Sequence, residues 1–216
     1  MKSYAVIGLG RFGTRMATSL YAHGEDVIAV DINETLVNQI ADSVTKSVAG
    51  DAKNKNVMRA VGVADCDCVI VGIGSNLAAS VLITMNLKSL GVPHIICKAH
   101  DDTHGEILKK LGADQVIIPE FVVADKVAGS LAVPNILEYI ELSDDYGIIE
   151  YTAPASWVGK TLKELNIREK FGATVIAEKR GETVTVSPGG NHIVQSDTTL
   201  VLLGDYKSLD DIKDLK

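Results

Sequence analysis

The sequence predicts an α/β protein in which a doubly wound parallel sheet is followed by a smaller α+β domain. Short β-rich runs alternate with amphipathic helical stretches from Tyr4 to about Ile118, and glycines follow the predicted helices. From about Tyr146 onward, strands dominate instead. Strands that alternate with helices form parallel sheets, because each parallel crossover needs a connection of a dozen or more residues.

Strands and helices alternate along the first part of the chain. The predicted strands are Tyr4–Leu9, Asp26–Val30, Lys46–Val48, Cys68–Val71, His94–Lys98 and Gln115–Ile118. The predicted helices are Phe12–Ala22, Glu34–Ala41, Lys55–Val61, Leu77–Leu90, Thr103–Leu111 and Phe121–Leu131. Several helices are followed by a glycine, the usual residue where a helix ends in a left-handed conformation: Gly24, Gly62, Gly91 and Gly112.

The last part of the chain has a different pattern. Its predicted strands are Gly147–Thr152, Thr174–Lys179, Thr183–Val186 and Thr199–Leu203, and one short helix is predicted at Thr161–Leu165. We therefore expect a first domain at residues 1–133, a crossover or linker at 134–145, and a second domain at 146–216. A domain of about 70 residues has a small core, so we expect it to gain stability by pairing with another copy.

Composition excludes several function classes. The chain carries 21 Lys or Arg and 28 Asp or Glu, a formal net charge of −7, so a nucleic-acid partner is not expected. No apolar run approaches the roughly 18 residues of a membrane span, and the N-terminus lacks the features of a secretory signal. We expect a folded cytoplasmic protein that reaches a membrane only through a partner. Cys66, Cys68 and Cys97 cannot all pair and are interpreted as small core residues.

The most specific local motif is Gly8-Leu9-Gly10-Arg11-Phe12-Gly13, which follows the first strand and opens the first helix. Gly8 allows the tight turn, Gly10 lets the backbone approach a diphosphate, and Gly13 lets the helix pack on the sheet. The helix N-terminus adds free N–H groups and partial positive charge. This context predicts a Rossmann-like nucleotide site.

Asp31 strengthens the nucleotide interpretation. It ends the second strand, 21 residues after Gly10, where a carboxylate accepts hydrogen bonds from the hydroxyls of an adenosine ribose. The same carboxylate repels a 2′-phosphate, so NADP is disfavoured. Arg11 lies in the loop and its guanidinium is expected to reach the phosphates, which suits the terminal phosphate of ATP or ADP as well as a dinucleotide.

Further residues follow the carboxyl ends of other predicted strands, where ligands bind in open α/β sheets. Gly50-Asp51-Ala52 and Gly72-Ile73-Gly74-Ser75-Asn76 are glycine-containing loops, and Ser75 is also interpreted as a helix N-cap. Lys98 ends the fifth strand and is expected to point toward the same crevice. The candidate nucleotide-binding residues are Gly8, Gly10, Arg11, Phe12, Gly13, Asp31, Asp51, Ala52, Gly72, Gly74, Ser75, Asn76 and Lys98.

No catalytic set accompanies this site. Hydride transfer needs an acid or base beside the nicotinamide and a pocket for a second substrate, and neither is visible. His100 and His104 are four residues apart, but without a third ligand nearby they are interpreted as solvated residues at a helix start. Glu120 reads, by composition alone, as an ordinary acid of a helix first turn. We therefore expect a binding protein and not an enzyme.

These motifs together closely resemble the RCK (regulator of K+ conductance) proteins of Ktr/Trk type, the cytosolic gating subunits of bacterial potassium transporters. The motifs of the first domain are Val6–Gly13, Ala29-Val30-Asp31, Gly50-Asp51-Ala52, Val69–Gly74, Leu111–Asp114 and Ile118-Pro119-Glu120. Those of the second are Trp157–Leu162 and Leu165–Gly172. The resemblance covers nearly the whole chain.

The resemblance implies ATP and ADP, and NAD(H) in some members, as ligands of the glycine loop, with Arg11 sensing the terminal phosphate. It implies a divalent or monovalent cation held by Glu120 near the phosphates, across a dimer interface. It also implies homodimers that assemble into rings, commonly octameric, beneath an integral membrane K+ transporter subunit of the KtrB or TrkH kind. The chain would then lie at the inner face of the cell membrane.

In many Gram-positive members the second domain binds cyclic di-AMP, which lowers transport. The positions that match this second pocket are Ile167, Arg168, Val175 and Pro188. Thr174 is a further candidate beside them, although it departs from the polar amide that the resemblance implies at this position.

Two rival functions share the nucleotide site. One is a small NAD-dependent oxidoreductase whose active site a partner completes. The other is a free-standing nucleotide sensor without a membrane partner.

Overall fold

In the computed structural model, residues 1–132, 136–143 and 145–213 are described, and they divide into an N-terminal unit, Met1–Pro119, and a C-terminal unit, Glu120–Lys216. The N-terminal unit holds one sheet of parallel strands in the order β3-β2-β1-β4-β5-β6. The strands are β1 (Ser3–Ile7), β2 (Asp26–Asp31), β3 (Lys46–Ala49), β4 (Cys68–Val71), β5 (Ile95–Lys98) and β6 (Gln115–Ile117). This strand order reverses between β1 and β4, which confirms the predicted doubly wound Rossmann-like sheet.

Helices connect successive strands of this sheet. They are α1 (Arg11–Ala22), α2 (Glu34–Ile40), α3 (Lys55–Val61), α4 (Leu77–Leu90) and α5 (Asp102–Lys110), with short 3-10 helices at Ala41–Ser43 and Val63–Asp65. A sixth helix, α6 (Pro119–Ala132), starts at the boundary of the two units. Each of the four glycines predicted to follow a helix has a positive φ.

The central strand β1 shows why this sheet is buried on both faces. Ala5 and Ile7 pack into one apolar cluster, whereas Val6 between them packs into a second cluster. Successive strand residues point to opposite faces, so two apolar clusters require helices on both sides. Strand β4 is buried along its whole length, which matches its continuous apolar sequence.

The C-terminal unit holds an antiparallel sheet in the order β10-β9-β11-β8-β7. Its strands are β7 (Ile136–Glu141), β8 (Tyr146–Thr152), β9 (Thr174–Arg180), β10 (Thr183–Val186) and β11 (Thr199–Asp205). Its helices are α7 (Leu162–Leu165), α8 (Ile167–Phe171) and α9 (Tyr206–Lys213), with a 3-10 helix at Ala155–Trp157. The rings of Tyr151 and Trp157 lie in its core with centroids 5.9 Å apart and planes tilted by 58°.

Three elements of this unit were not predicted. Helices α8 and α9 are short, five and eight residues, and short helices give a weak periodic signal. Strand β7 falls inside the stretch predicted as a linker. It was missed because its partner β8 lies beyond a turn, and their pairing cannot be seen in the sequence of β7 alone. Pro134, Asn135 and Asp144 of that predicted linker lie outside the described residues.

Among the residues that the structure describes, no helix is both long enough and apolar enough to cross a bilayer.

Candidate functional site

A cavity of about 390 Å³ opens at the carboxyl ends of β1 to β4 in the N-terminal unit. Ligands of open α/β sheets bind at this edge, beside the point where the strand order reverses. Nine of the predicted residues line the cavity: Gly8, Gly10, Asp31, Asp51, Ala52, Gly72, Gly74, Ser75 and Asn76. Four strands therefore contribute their following loops to one chamber.

The glycine loops of this cavity pack against one another. A Cβ atom on Gly13 would lie 1.8 Å from the Gly8 carbonyl oxygen, and one on Gly72 would lie 2.9 Å from the same oxygen. Gly8 itself has a φ of +93°. Gly72 is therefore required by packing between two loops.

Gly10 has the opposite surroundings. A Cβ atom at this position would meet nothing within 4 Å, and its φ of −66° suits any residue. Gly10 lines the cavity. The close approach of a diphosphate that the spacing predicts for this position stays a prediction.

The N-terminus of α1 differs from the helix starts that follow it. Helices α2, α3, α4 and α5 each begin with an Asn or Asp whose side chain accepts a backbone N–H of the first turn. The N-cap of α1 is Gly10, which has no side chain to accept one, and the first turn of α1 contains no acidic residue. The first-turn N–H groups and the partial positive charge of α1 therefore suit an anion.

The Asp31 carboxylate is held in place by backbone N–H groups. Leu9 donates to one carboxylate oxygen at 2.6 Å, and Asn33 donates to the other at 2.7 Å. These bonds tie the end of β2 to the glycine loop and fix the carboxylate at the cavity wall. Each oxygen keeps a further lone pair that can accept a hydroxyl.

Two other polar side chains organise the cavity loops. Asp51 accepts the backbone N–H of Lys53 at 3.0 Å and forms an ion pair with its ammonium at 3.4 Å. Asn76 caps α4 by accepting the N–H of Ala79 at 3.0 Å. The prediction that Ser75 is this N-cap is wrong, because Asn76 occupies the capping position.

Four predicted residues lie beside the cavity and do not line it. Arg11 is exposed at the start of α1, and Gly13 is buried beneath the loop. The Lys98 ammonium lies over the Phe12 ring, 5.9 Å from its centroid. The stem of Lys98 also passes close to Gly74, where a Cβ atom would lie 3.1 Å from Cε.

Sequence reasoning missed the apolar part of the cavity wall. Ile32, Leu36, Ile73, Ala79 and Ile83 line it. Ile32 is 70% exposed. It directly follows Asp31, and this position of an apolar residue is the feature of the wall that the sequence could have indicated. An apolar wall facing a loop that can hold phosphates fits a flat base at one end of a ligand.

The histidine pair of the sequence does not behave as predicted. His100 is exposed, but His104 is only 4% exposed and lies between α4 and α5. Its interpretation as a solvated residue is wrong, because Ser80 of α4 accepts or donates a hydrogen bond at its ring. Such burial depends on packing between two helices that the local sequence does not reveal.

The cysteines and the acidic groups give the site no further chemistry. Burial raises the pKa of each of the thiols Cys66, Cys68 and Cys97 to about 11, and all three are free. They are therefore neutral core residues near neutral pH, as predicted. In the described part of the chain, no three His, Cys, Asp or Glu side chains lie together in a way that could hold a metal ion.

The C-terminal candidates are spread over several elements. Ile167, the first residue of α8, is buried in the core, and Val175 of β9 packs against that core. Arg168 and Thr174 are exposed, whereas Pro188 is half-buried. Neither of the two cavities that we describe in this unit, of about 330 and 250 Å³, is lined by these residues.

The smaller of these cavities contains a buried carboxylate. Glu178 of β9 is 5% exposed and faces Leu200 of β11, so it lies on the core side of the sheet. Thr198 donates a hydrogen bond to one of its oxygens at 3.1 Å, and the His192 ring lies against the other. These contacts attach the segment before β11 to the sheet.

Comparison with known proteins gives two family matches. The model of the TrkA-N domain matches residues 4–119, and the model of the TrkA-C domain matches residues 148–216. The first coincides closely with the N-terminal unit of the structure.

The curated relatives extend over nearly the whole chain. Ktr system potassium uptake protein C of Bacillus subtilis is 40% identical over 203 residues, covering 94% of this chain and 92% of that protein. Ktr system potassium uptake protein A of the same organism is 40% identical over 208 residues, covering 96% and 94%. The protein A of Vibrio alginolyticus is 31% identical over 208 residues.

Solved structures share the fold. The RCK domain of GsuK superposes with a TM-score of 0.70 at 21% identity, and the GsuK channel with 0.72 at 20%. This chain is covered to 98% and 99%, but it spans only 47% and 39% of those longer chains.

Proposed function

The chain belongs to the RCK family of TrkA-N and TrkA-C domain proteins, and from this premise we propose that it is the nucleotide-sensing regulatory subunit of a potassium uptake system. The observation that carries the proposal is the cavity at the carboxyl ends of β1 to β4. It combines an uncapped helix N-terminus, a fixed carboxylate and an apolar wall. An adenine nucleotide carries a matching phosphate, ribose and base.

Each part of the cavity has a role in this proposal. The N-terminus of α1 and the open face of Gly10 receive the phosphates. Asp31, held by two backbone N–H groups, accepts the ribose hydroxyls. The apolar wall around Ile32 and Ile83 contacts the base. ATP or ADP, with NAD(H) as a further ligand, would satisfy all three; a GsuK channel structure with NAD bound has the same fold.

Regulation requires that two nucleotides bind two conformations differently. Arg11 is exposed at the start of α1 and does not line the cavity, so its guanidinium can contact a γ-phosphate, which ADP does not carry. Only this difference in binding energy can shift a conformational equilibrium, and about 1.4 kcal/mol changes the ratio of two states tenfold. The nucleotide is a signal and undergoes no chemistry.

Calorimetric titration of ATP and ADP into the wild type, Arg11→Ala and Arg15→Ala tests this role. Arg15 is an exposed arginine one turn further along the same helix and is the matched control. We expect Arg11→Ala to bring the ATP and ADP affinities within about threefold of each other, with Arg15→Ala unchanged. Equal discrimination in Arg11→Ala and the wild type would refute the sensing role.

The proposed assembly rests on the exposed apolar face of α6. Phe121, Val122, Val123 and Val127 are each about half exposed or more in the single chain. A second copy of the chain that covers this helix would bury them, and dimers of this kind would assemble into a ring beneath a membrane subunit. Glu120, in the first turn of the same helix, is the proposed cation ligand. Light scattering with and without nucleotide, and co-purification of a membrane protein, test the assembly.

Cyclic di-AMP is the proposed ligand of the C-terminal unit. Exposed Arg168 offers a guanidinium for a phosphate, and half-buried Pro188 offers an apolar contact. Titration of cyclic di-AMP into the wild type and Arg168→Ala tests this assignment. Binding that Arg168→Ala leaves unchanged would place the ligand elsewhere.

An oxidoreductase is the alternative function of the same cavity. It requires turnover, so NAD+ incubated with the chain, any partner that co-purifies with it and a series of 2-hydroxy acids would be reduced. The regulatory proposal predicts that NAD+ is recovered unchanged.

A further inference from the structure

His104 is the buried link between α5 and the wall of the nucleotide cavity. Its Nε2 atom lies 2.8 Å from the Ser80 hydroxyl of α4, and its Nδ1 atom lies 3.2 Å from the backbone nitrogen of His100. The ring is 4% exposed and Ser80 is fully buried. Both ring nitrogens therefore have a protein partner in place of water.

The hydrogen bonds determine which nitrogen carries the proton. The His100 backbone N–H can only donate, so Nδ1 of His104 must present its lone pair. In the neutral ring the proton then lies on Nε2, which donates to the Ser80 hydroxyl. That hydroxyl donates in turn to the Leu77 carbonyl oxygen at 3.0 Å. The result is a directional chain of hydrogen bonds from α5 to the first turn of α4.

The first turn of α4 is part of the cavity wall. Asn76 caps this turn and lines the cavity, and Ala79, whose N–H Asn76 accepts, lines it as well. Ser80 follows on the buried side of the same turn and hydrogen-bonds through its backbone to the Asn76 carbonyl at 3.0 Å. His104 therefore supports the turn that carries Asn76 through Ser80, a buried residue that does not itself line the cavity.

A second proton would break this arrangement. Protonation places a hydrogen on Nδ1, which then faces the donating N–H of His100. The ring must turn to separate these two donors, and that turn also draws Nε2 away from the Ser80 hydroxyl. Burial also opposes the charge and is the main reason that the pKa of His104 lies below its ordinary value. Among the described groups, Asp101 acts in the opposite direction and His100 adds to the lowering. Thr84, one turn beyond Ser80, contacts the Cys97 thiol, which is neutral.

We propose that His104 is a positioning residue for the nucleotide cavity, and that its protonation releases the first turn of α4 and weakens nucleotide binding. This inference rests on the proposed nucleotide function. It adds a dependence on proton concentration: falling pH reduces the occupancy of the cavity at constant nucleotide. By linkage, a bound nucleotide must also disfavour protonation of His104.

Calorimetric titration of ADP between about pH 5.5 and about pH 8.5 tests the inference in the wild type, His104→Gln, Ser80→Ala and the control His23→Gln. His23 lies at the end of α1 and hydrogen-bonds to the Ser19 carbonyl. The phosphate of ADP ionises near pH 6, but this change is common to all variants. Differences between variants therefore report the contribution of the protein to the pH dependence of binding.

In the wild type and His23→Gln, one-proton linkage weakens binding by up to about tenfold for each pH unit below the His104 pKa. His104→Gln cannot take up this proton, yet its amide N–H can still reach Ser80. We expect it to bind as the wild type does at high pH and to show the flatter profile of ADP alone. Ser80→Ala loses the link and should bind several-fold more weakly at high pH. Superimposable pH profiles for the wild type and His104→Gln would overturn the inference.

A direct NMR titration of the His104 ring supplies a second readout that a purely structural role would not change. The inference predicts that saturating ADP lowers the pKa of His104, and an unchanged pKa in the ADP-bound protein would contradict it. Absence of ADP binding at every pH would instead refute the proposed nucleotide function, since that outcome does not depend on His104. Circular dichroism of each variant at high pH verifies that it is folded.

Discussion

The two units of the chain build polar sites in different ways. In the N-terminal unit the cavity is made largely of backbone: glycine loops, a bare helix N-terminus and a carboxylate held by N–H groups. In the C-terminal unit the described cavities are lined by long side chains such as Arg180, His192 and Lys160. A backbone site is preorganised in the single chain, whereas surface side chains become ordered at a cost when a ligand or a second copy binds.

This difference predicts that single substitutions affect the units separately. Trp157 is the only tryptophan of the sequence and lies in the core of the C-terminal unit. Its fluorescence therefore reports on that unit, while far-ultraviolet circular dichroism reports on both. The following substitutions compare the two signals.

The largest effect is expected for Gly13→Ala. The new methyl group would lie 1.8 Å from the Gly8 carbonyl oxygen. The backbone of α1 fixes the methyl group and the backbone of the loop carries the oxygen, so neither can move without breaking the loop. We expect the N-terminal unit to lose about 3 kcal/mol or more of its free energy of unfolding. Urea denaturation followed by circular dichroism measures the loss, with the Trp157 transition unchanged. Gly10→Ala, which adds a methyl group in open space, is the control and should change stability by less than about 1 kcal/mol.

Glu178→Ala is expected to act on the other unit. It removes a buried carboxylate and leaves Thr198 and His192 without their partner. We expect a loss of about 1–3 kcal/mol, because the buried Thr198 hydroxyl is left without its acceptor. The Trp157 fluorescence transition in urea measures it. Glu178→Gln keeps an acceptor for Thr198 and should lose less; equal losses for the two variants would contradict the assigned pairing.

Asp31→Asn should weaken ligand binding more than it weakens folding. Leu9 and Asn33 donate to different oxygens of Asp31, so the amide keeps an acceptor for only one of these N–H groups, and it also loses the charge that favours ribose hydroxyls. Hydrogen bonds to charged groups contribute about 1.5–3 kcal/mol, so nucleotide affinity should fall by roughly 10- to 100-fold. Calorimetry measures it. Asp26→Asn, at the other end of the same strand and outside the cavity, should bind like the wild type, and a matching loss there would remove Asp31 from the site.

The smallest effect is a pH dependence confined to the N-terminal unit. Burial lowers the pKa of His104 in the folded state below the ordinary value near 6.5, so between the two values the unfolded chain binds more protons. The stability due to neutral His104 is complete above about pH 6.5 and is lost as pH falls from there toward the lowered pKa. Urea denaturation by circular dichroism at several pH values should show this loss in the wild type and a smaller one in His104→Gln. The same loss in both would assign it to other groups.

The alternating pattern predicted the N-terminal fold because parallel crossovers leave a signal in local sequence. The spacing of the glycine motif also predicted a tight turn at Gly8 and close packing at Gly13, and the structure shows a positive φ at Gly8 and no room for a Cβ atom at Gly13. The close packing of Gly72 against Gly8 could not be predicted, because it joins two loops about 60 residues apart along the chain.

Long-range packing also explains the other errors. His104 was interpreted as solvated because nothing near it in sequence indicates Ser80, which buries it from another helix. Strand β7 was not distinguished from a linker, because its sequence Ile136–Glu141 does not alternate strictly between apolar and polar residues and its pairing with β8 is not visible in the local sequence. The apolar wall of the cavity was missed since residues such as Ile83 read simply as core positions of a helix.

The central claim is that the cavity of the N-terminal unit binds an adenine nucleotide as a signal. The most direct measurement is the titration of ATP, ADP and NAD+ into the wild type and Asp31→Asn, followed by chromatography of the recovered ligand. The account predicts saturable binding near one nucleotide per chain, weaker binding in Asp31→Asn, and ligand recovered chemically intact. No binding of any of the three, or a ligand converted to product by the purified chain, would contradict it.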